Sequence, residues 1–246
     1  MCYSVNQYPS IEDSVVIASG TDYNATLDIT ALQSNTRYYY NAFATNADTT
    51  AYSDTVRSFK TKIVFKQITD FDGNKYNTIV INGQEWMAEN LKTTHLNDGT
   101  PIQYSLSDDW SSNGSTPSYC YPYDDEAYDT LGVSYNYYCV NTQKLCPVGW
   151  HIPTATEWDM LFEFVNYKTS PLSLYDGTNA TGFSSKSTIG RDEYGYDDEY
   201  EMIAYYWMGS SNRLVLLYPS YFGMENEIDT YSAHMNSGNP VRCIKD

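Results

Sequence analysis

Apolar and polar positions alternate along most of this chain and take a helical period at one place. Trp158, Leu161, Phe162 and Val165 fall at i, i+3, i+4 and i+7. They share one helical face, which needs a core to bury against. Pro153 stands ahead of them and has no N–H to give a strand ladder. Thr154 and Glu157 have the spacing of a capping box, in which each side chain satisfies a free backbone N–H of the other. The pattern predicts a helix over 155–166. Elsewhere the period is two. Runs at 78–81 and 84–89 flank Asn82-Gly83, a pair that tolerates positive φ and marks a tight hairpin. Trp86 then faces the core. The aromatic run 135–140 predicts a buried strand. So does 202–209, with Tyr205, Tyr206 and Trp207, and 241–244 predicts a terminal strand.

Residues 1–62 read as all-β, with strands at 15–17, 25–30, 32–47 and 56–61. In the long one Tyr38, Tyr40, Ala42 and Ala44 share a face. Leu32, Thr36 and Tyr38 have the spacing of a tyrosine corner, and the segment resembles a fibronectin type III domain. Such a domain takes about 90 to 100 residues. The residues Cys2-Tyr3-Ser4 match its third strand, so a partial domain lacking the first two strands is expected: either the sequence is cut from a longer protein or Met1 is not the native start. Residues 63–69 lead into a second domain. There the run 70–76, DFDGNKY, carries two acids on a Gly-Asn turn. A calcium loop of the EF-hand type would need a glutamate where Ile81 stands, so a plain turn is the reading.

The chain has 246 residues with 14 basic and 31 acidic side chains, a formal charge of -17. Nucleic acid and anionic membrane surfaces would be repelled. No apolar run has the length of a membrane span. The start is polar, so an export signal is expected upstream. Tyrosine is abundant, at 26 residues. Its ring suits half-buried strands as well as contact surfaces. The five cysteines contain no CxxC pair, which weakens zinc and thioredoxin readings. His95, His151 and His234 are scattered and lack helical metal-site spacing.

The runs DFDGNKY, EWMAENLKT, NDGTPI, LCPVGWHIPTATEW, YYWMGSS and VRCIKD occur in that order. Together they resemble the Fibrobacter succinogenes major paralogous domain of Bacteroidetes surface proteins, over about 66–246. HIPTATEW with a terminal Arg-Cys is also similar to the C-type lectin-like fold of formylglycine-generating enzymes. The resemblance implies an α+β, C-type lectin-like domain over 63–246, behind the all-β segment. It implies a disulfide between Cys146 and Cys243, which stand in two of the shared motifs, in an exported context that permits disulfides. Cys120 with Cys139 is a second candidate pair, and Cys2 is left free. The triplets by which calcium-dependent lectins read sugars are missing, so no sugar-binding residue is carried over.

Two polar stretches, 105–135 and 167–200, leave and rejoin this framework. Function concentrates on such excursions because the core beneath holds them in place. One carries Tyr119, Tyr121, Tyr123 and Tyr128, the other Tyr194, Tyr196 and Tyr200. These rings either stack on a ligand or pin down their own loops. The acidic run 191–200 reads as a solvated loop. The alternative is a calcium site from Asp192, Asp197, Asp198 or Glu199. The expectation is a non-catalytic module for adhesion or binding, secreted or held at the cell surface as in a lipoprotein, with the first segment as spacer. Its ligand is an extracellular glycan or protein, and no other cofactor is implied. The alternatives are a structural stalk or fimbrial tip component, or a degenerate oxidase-like enzyme.

Overall fold

The computed structural model describes residues 1–17, 27–173, 178–198, 203–209, 211–218 and 228–246, with the side chain of Asp198 excepted. The chain is β-rich with few helices and divides into two compact units, Met1–Val64 and Phe65–Asp246.

In the first unit a four-stranded antiparallel sheet runs in the order Ser14–Val15, Cys2–Ser4, Arg37–Asn41, Arg57–Lys60. The long strand read over 32–47 is broken at Ala42. Its second half, Phe43–Thr45, pairs instead with Thr50–Tyr52 as a separate ribbon. No strand forms over 27–30, and residues 25 and 26 lie outside the described residues. Among the described residues of this unit, Tyr38 and Cys2 are buried, with Pro9. The Tyr38 ring stacks on Phe59 at 6.0 Å, and its hydroxyl accepts from the Gln33 N–H at 3.1 Å.

The second unit is built on a five-stranded antiparallel sheet ordered Trp150–His151, Ile244–Lys245, Gln84–Met87, Lys75–Ile81, Lys66–Thr69. Its centre is the hairpin that Asn82 (φ 49°) and Gly83 (φ 82°) turn. Because strand side chains alternate, the hairpin feeds two cores. Ile79, Ile81 and Trp86 enter one, Tyr76 and Met87 the other. The helix Ala155–Phe164 covers the first core with Trp158, Leu161, Phe162 and the adjoining Val165. Thr154 and Glu157 close the capping box. The Trp158 ring centroid lies 4.9 Å from that of Trp86 and 5.8 Å from that of Tyr206. The strands Ala204–Trp207, Arg213–Leu217 and Ile228–Ser232 form a further antiparallel sheet that serves both cores.

The run 70–76 is a turn whose acids act as staples. Asp70 accepts from the Asn74 backbone at 2.9 Å and from the Tyr76 hydroxyl at 2.6 Å. Asp72 accepts from Thr93, from Thr94 and from His95 Nδ1. The aromatic run 135–140 is not one strand. Asn136 accepts from the Cys139 N–H and caps a short helix, Tyr137–Asn141, because an Asn at that position offers the backbone an N-cap.

The Cys146–Cys243 disulfide joins the turn ahead of Trp150–His151 to the terminal strand. Cys2, Cys120 and Cys139 are free and buried, so the second candidate pair does not form. The Cys139 thiol donates instead to the Ser118 carbonyl at 3.3 Å. Next to the disulfide, His151 is held on both sides: Nδ1 lies 2.7 Å from Asp246 and Nε2 lies 2.9 Å from Glu157. Burial alone would lower its pKa, but the hydrogen bonds and charges of Asp246 and Glu157 outweigh it and hold the pKa above the usual histidine value of 6.5.

Two predictions follow from this corner. The disulfide closes a loop with a sequence separation of 97. Replacing both cysteines by alanine should lower the unfolding free energy by about 4 to 5 kcal/mol, as loop-closure entropy dictates, measured by urea denaturation. A folded-state pKa raised above the unfolded one adds stability that is full below the unfolded value and fades as pH rises through the folded value. The melting-temperature advantage of the wild type over His151→Gln should therefore be largest below pH 6.5 and shrink above it. An advantage that grew with pH would contradict the double clamp.

Candidate functional site

The stretch 105–135 was expected as a loop and is instead a string of short elements. Ser107–Trp110 is a helical turn that buries Trp110 completely. The Trp110 indole N–H donates to the Asn236 carbonyl at 2.6 Å. Ser118–Cys120 lies between Gln103–Tyr104, which is parallel to it, and Ser134–Tyr135, which is antiparallel. The register sets Tyr104 beside Tyr119. Two 3-10 turns follow, Pro122–Asp124 and Glu126–Leu131, the second capped by Asp125.

This framework gathers the tyrosines into two groups. Tyr104, Tyr119 and Tyr121 form a triangle with ring centroids 5.5 to 5.8 Å apart. Tyr123 and Tyr128 meet edge to face at 5.2 Å. Tyr119 is nearly buried and Tyr121 half-buried, whereas Tyr104, Tyr123 and Tyr128 are each more than 40% exposed. Burial raises the pKa of the Tyr104, Tyr119 and Tyr121 hydroxyls, so they stay protonated and can both donate and accept.

The second stretch reaches the same place. Gly190–Arg191 and Asp197–Asp198 pair as a small hairpin. Its Gly195 has φ +102°, and a Cβ there would lie 2.1 Å from the Ser107 carbonyl oxygen. Only glycine permits so close an approach. Arg191 is the join. Its side chain is fully buried, with Nη1 2.6 Å from Asp124 of the first stretch and Nη2 2.9 Å from Asp197 of its own hairpin. The guanidinium also lies over the Trp110 ring, 5.8 Å from its centroid. Burial would lower the Arg191 pKa, but the neighbouring anions raise it. Asp124, conversely, is held below the usual carboxylate range: desolvation opposes this, but the Ser107 N–H and Arg191 outweigh it.

The acids proposed for calcium are used locally. Asp197 is paired with Arg191, and Asp192 Oδ1 accepts from the Tyr194 and Tyr196 N–H groups, each at 2.9 Å. Glu199, Tyr200 and the Asp198 side chain lie outside the described residues. Among the described residues no group of three or more His, Cys, Asp or Glu is placed to hold a metal ion. Tyr194 and Tyr196 are free of core packing, at 68% and 73% exposure. Cys120 sits buried near the Arg191 group, its thiol pushed up to about 12 chiefly by desolvation. A thiol held protonated in this way is a poor nucleophile.

Arg191–Asp124 and the Gly195–Ser107 approach thus tie together the two stretches that carry Tyr119, Tyr121, Tyr123 and Tyr128 on one side and Tyr194 and Tyr196 on the other. Tyr104, Trp110 and Arg191 were not expected in it. Arg191 carried a faint signal as the sole basic residue in the run 191–200. Its partner Asp124 is 67 positions away, beyond any local pattern.

The model of the Fibrobacter succinogenes major domain matches residues 79–245, and the chain belongs to that family. No curated protein and no solved structure matches the chain.

Removing one partner of a buried ion pair leaves the others uncompensated and costs several kcal/mol. Arg191→Met should lower stability by about 3 kcal/mol, at the low end because both carboxylates are partly exposed. Tyr123→Ala and Tyr196→Ala should each stay within about 0.5 kcal/mol of wild type, the usual range for surface changes. Urea denaturation of the three variants checks this.

Proposed function

We propose that the chain is a non-catalytic binding or adhesion module, secreted or displayed at a cell surface, that takes a glycan or protein ligand on its tyrosine-lined face. The observation that carries this reading is the Arg191 clamp. It fixes two tyrosine-rich segments to one another while leaving Tyr104, Tyr123, Tyr128, Tyr194 and Tyr196 open to solvent. A rigid base under exposed rings lowers the entropy cost of binding. Tyrosine faces stack on the apolar faces of sugars, and their hydroxyls bond to sugar or peptide groups. In this reading the second unit has a C-type lectin-like fold and the first is a fibronectin type III-like spacer. The Cys146–Cys243 bond supports an oxidising, extracytoplasmic setting. The alternative of a structural stalk predicts self-association and no saturable ligand.

A glycan array probed with the purified protein, with calcium and with chelator, tests the reading. A hit should bind regardless of calcium. Tyr123→Ala and Tyr196→Ala should each weaken it at least tenfold with little change in melting temperature. If both variants bind as wild type does, the tyrosine face is not the site. If the melting temperature falls steeply, the rings belong to the loops' own packing.

A further inference from the structure

A second concavity lies apart from the tyrosine face. A cavity of about 350 Å³ opens beside the Cys146–Cys243 disulfide. That is at the low end of the range for small-ligand sites, about 300 to 1,000 Å³. Val140, Leu145, Trp150 and Ile152 give it apolar walls, and Gln143, His151 and Asp246 give it a polar rim. None of the tyrosines discussed above lines it.

The charges at this rim do not cancel. His151 is bracketed by Asp246 and Glu157, so even when protonated it leaves one negative charge over. The nearest lysines in the chain do not supply the balance, because Lys144 is paired with Asp98 and Lys245 with Glu85. Asp246 Oδ1 takes the histidine, and with the Asp246 side chain 61% exposed its carboxylate stays open at the rim. Gln143 stands exposed at the same rim. Apolar walls below an uncompensated carboxylate match one chemistry: an aliphatic stem that ends in a cation.

We propose that this cavity binds an alkylammonium group, with the stem against Val140, Leu145, Trp150 and Ile152 and the ammonium on Asp246 and Gln143. A free small amine and a lysine side chain on a partner protein share that chemistry. An anion is opposed by both acids, and a neutral sugar leaves the spare charge unmet. The site is independent of the tyrosine face, so either can fail without the other.

The test is a ¹H–¹⁵N titration of the intact chain, following the Trp150 indole and the Ile152 amide. The probes are Nα-acetyl-lysine amide, n-pentylamine, Nα-acetyl-norleucine amide and glucose. Saturable shifts with both amines, at least tenfold weaker with the norleucine derivative, are expected. Binding of the lysine derivative alone assigns the site to a partner's side chain, and equal binding of pentylamine assigns it to any alkylammonium. Asp246→Asn should weaken the amines at least tenfold without moving the melting temperature by more than the loss of the His151 contact does. If the norleucine derivative or glucose binds as well as the amines, or no probe binds, the proposal is overturned. That comparison uses the wild-type protein and holds even if the variant folds poorly.

Discussion

A buried guanidinium organises the larger unit. Arg242 is 1% exposed and forms no ion pair with a carboxylate among the described residues. Its Nε donates to Asn90 Oδ1 at 2.8 Å, its Nη1 to the Phe183 carbonyl and its Nη2 to the Ser184 carbonyl at 2.9 Å. The Phe183 ring lies 4.3 Å below it and the Tyr206 ring 5.3 Å away. Burial lowers its pKa, yet an arginine stays charged. The charge therefore has to be met by oriented carbonyls and ring faces, and those groups have to stay where they are. Next in the chain, Cys243 is tied to Cys146. The terminal segment is thus held to three distant parts of the unit by directional contacts, not by apolar burial alone.

From that point the order passes to the tyrosine face. The Asn90 amide that accepts from Arg242 also donates, through Nδ2, to the Leu131 carbonyl at 2.7 Å. Leu131 ends the turn that carries Tyr128. The chain leaves it through Gly132 at φ +90°, where a Cβ would lie 2.4 Å from the Asn90 Cβ. Arg191 then repeats the device one layer out, with carboxylates in place of carbonyls. The difference follows from burial. The Asp124 and Asp197 side chains keep about a fifth of their surface in water, where an ionised pair costs far less to hold than in a dry core.

What the sequence made legible was short-range. The Thr154–Glu157 box and the Asn82-Gly83 turn are settled by chemistry within a few residues, and both appear where the pattern puts them. The Cys146–Cys243 bond was legible only through shared motifs, because five cysteines allow many pairings. The aromatic run 135–140 misled. Its apolarity suits a strand or a buried helix equally, and Asn136 decides the matter as a cap. Of the candidate site, the tyrosines could be named, but neither Tyr104 nor the Arg191 clamp could. An acidic run with one arginine looks solvated until a carboxylate from 67 positions away arrives to bury it.

Both concave or aromatic surfaces of the larger unit share an electrostatic character. The tyrosine face is underlain by Asp124, Asp192 and Asp197, with one guanidinium buried among them. The cavity by the disulfide has Asp246 and His151 at its rim, with Glu157 behind the histidine. The chain as a whole carries -17. A polyanion approaching either surface meets repulsion that is long-ranged at low salt and screened within about 10 Å at 0.1 M. Ligands with ring faces, hydroxyls or ammonium groups meet none. Two of the arginines, Arg191 and Arg242, are withdrawn into the interior, where they serve the frame, while Arg213 stays at the surface. In the larger unit two buried positive charges hold the frame together, while the chain as a whole carries 31 acidic against 14 basic side chains.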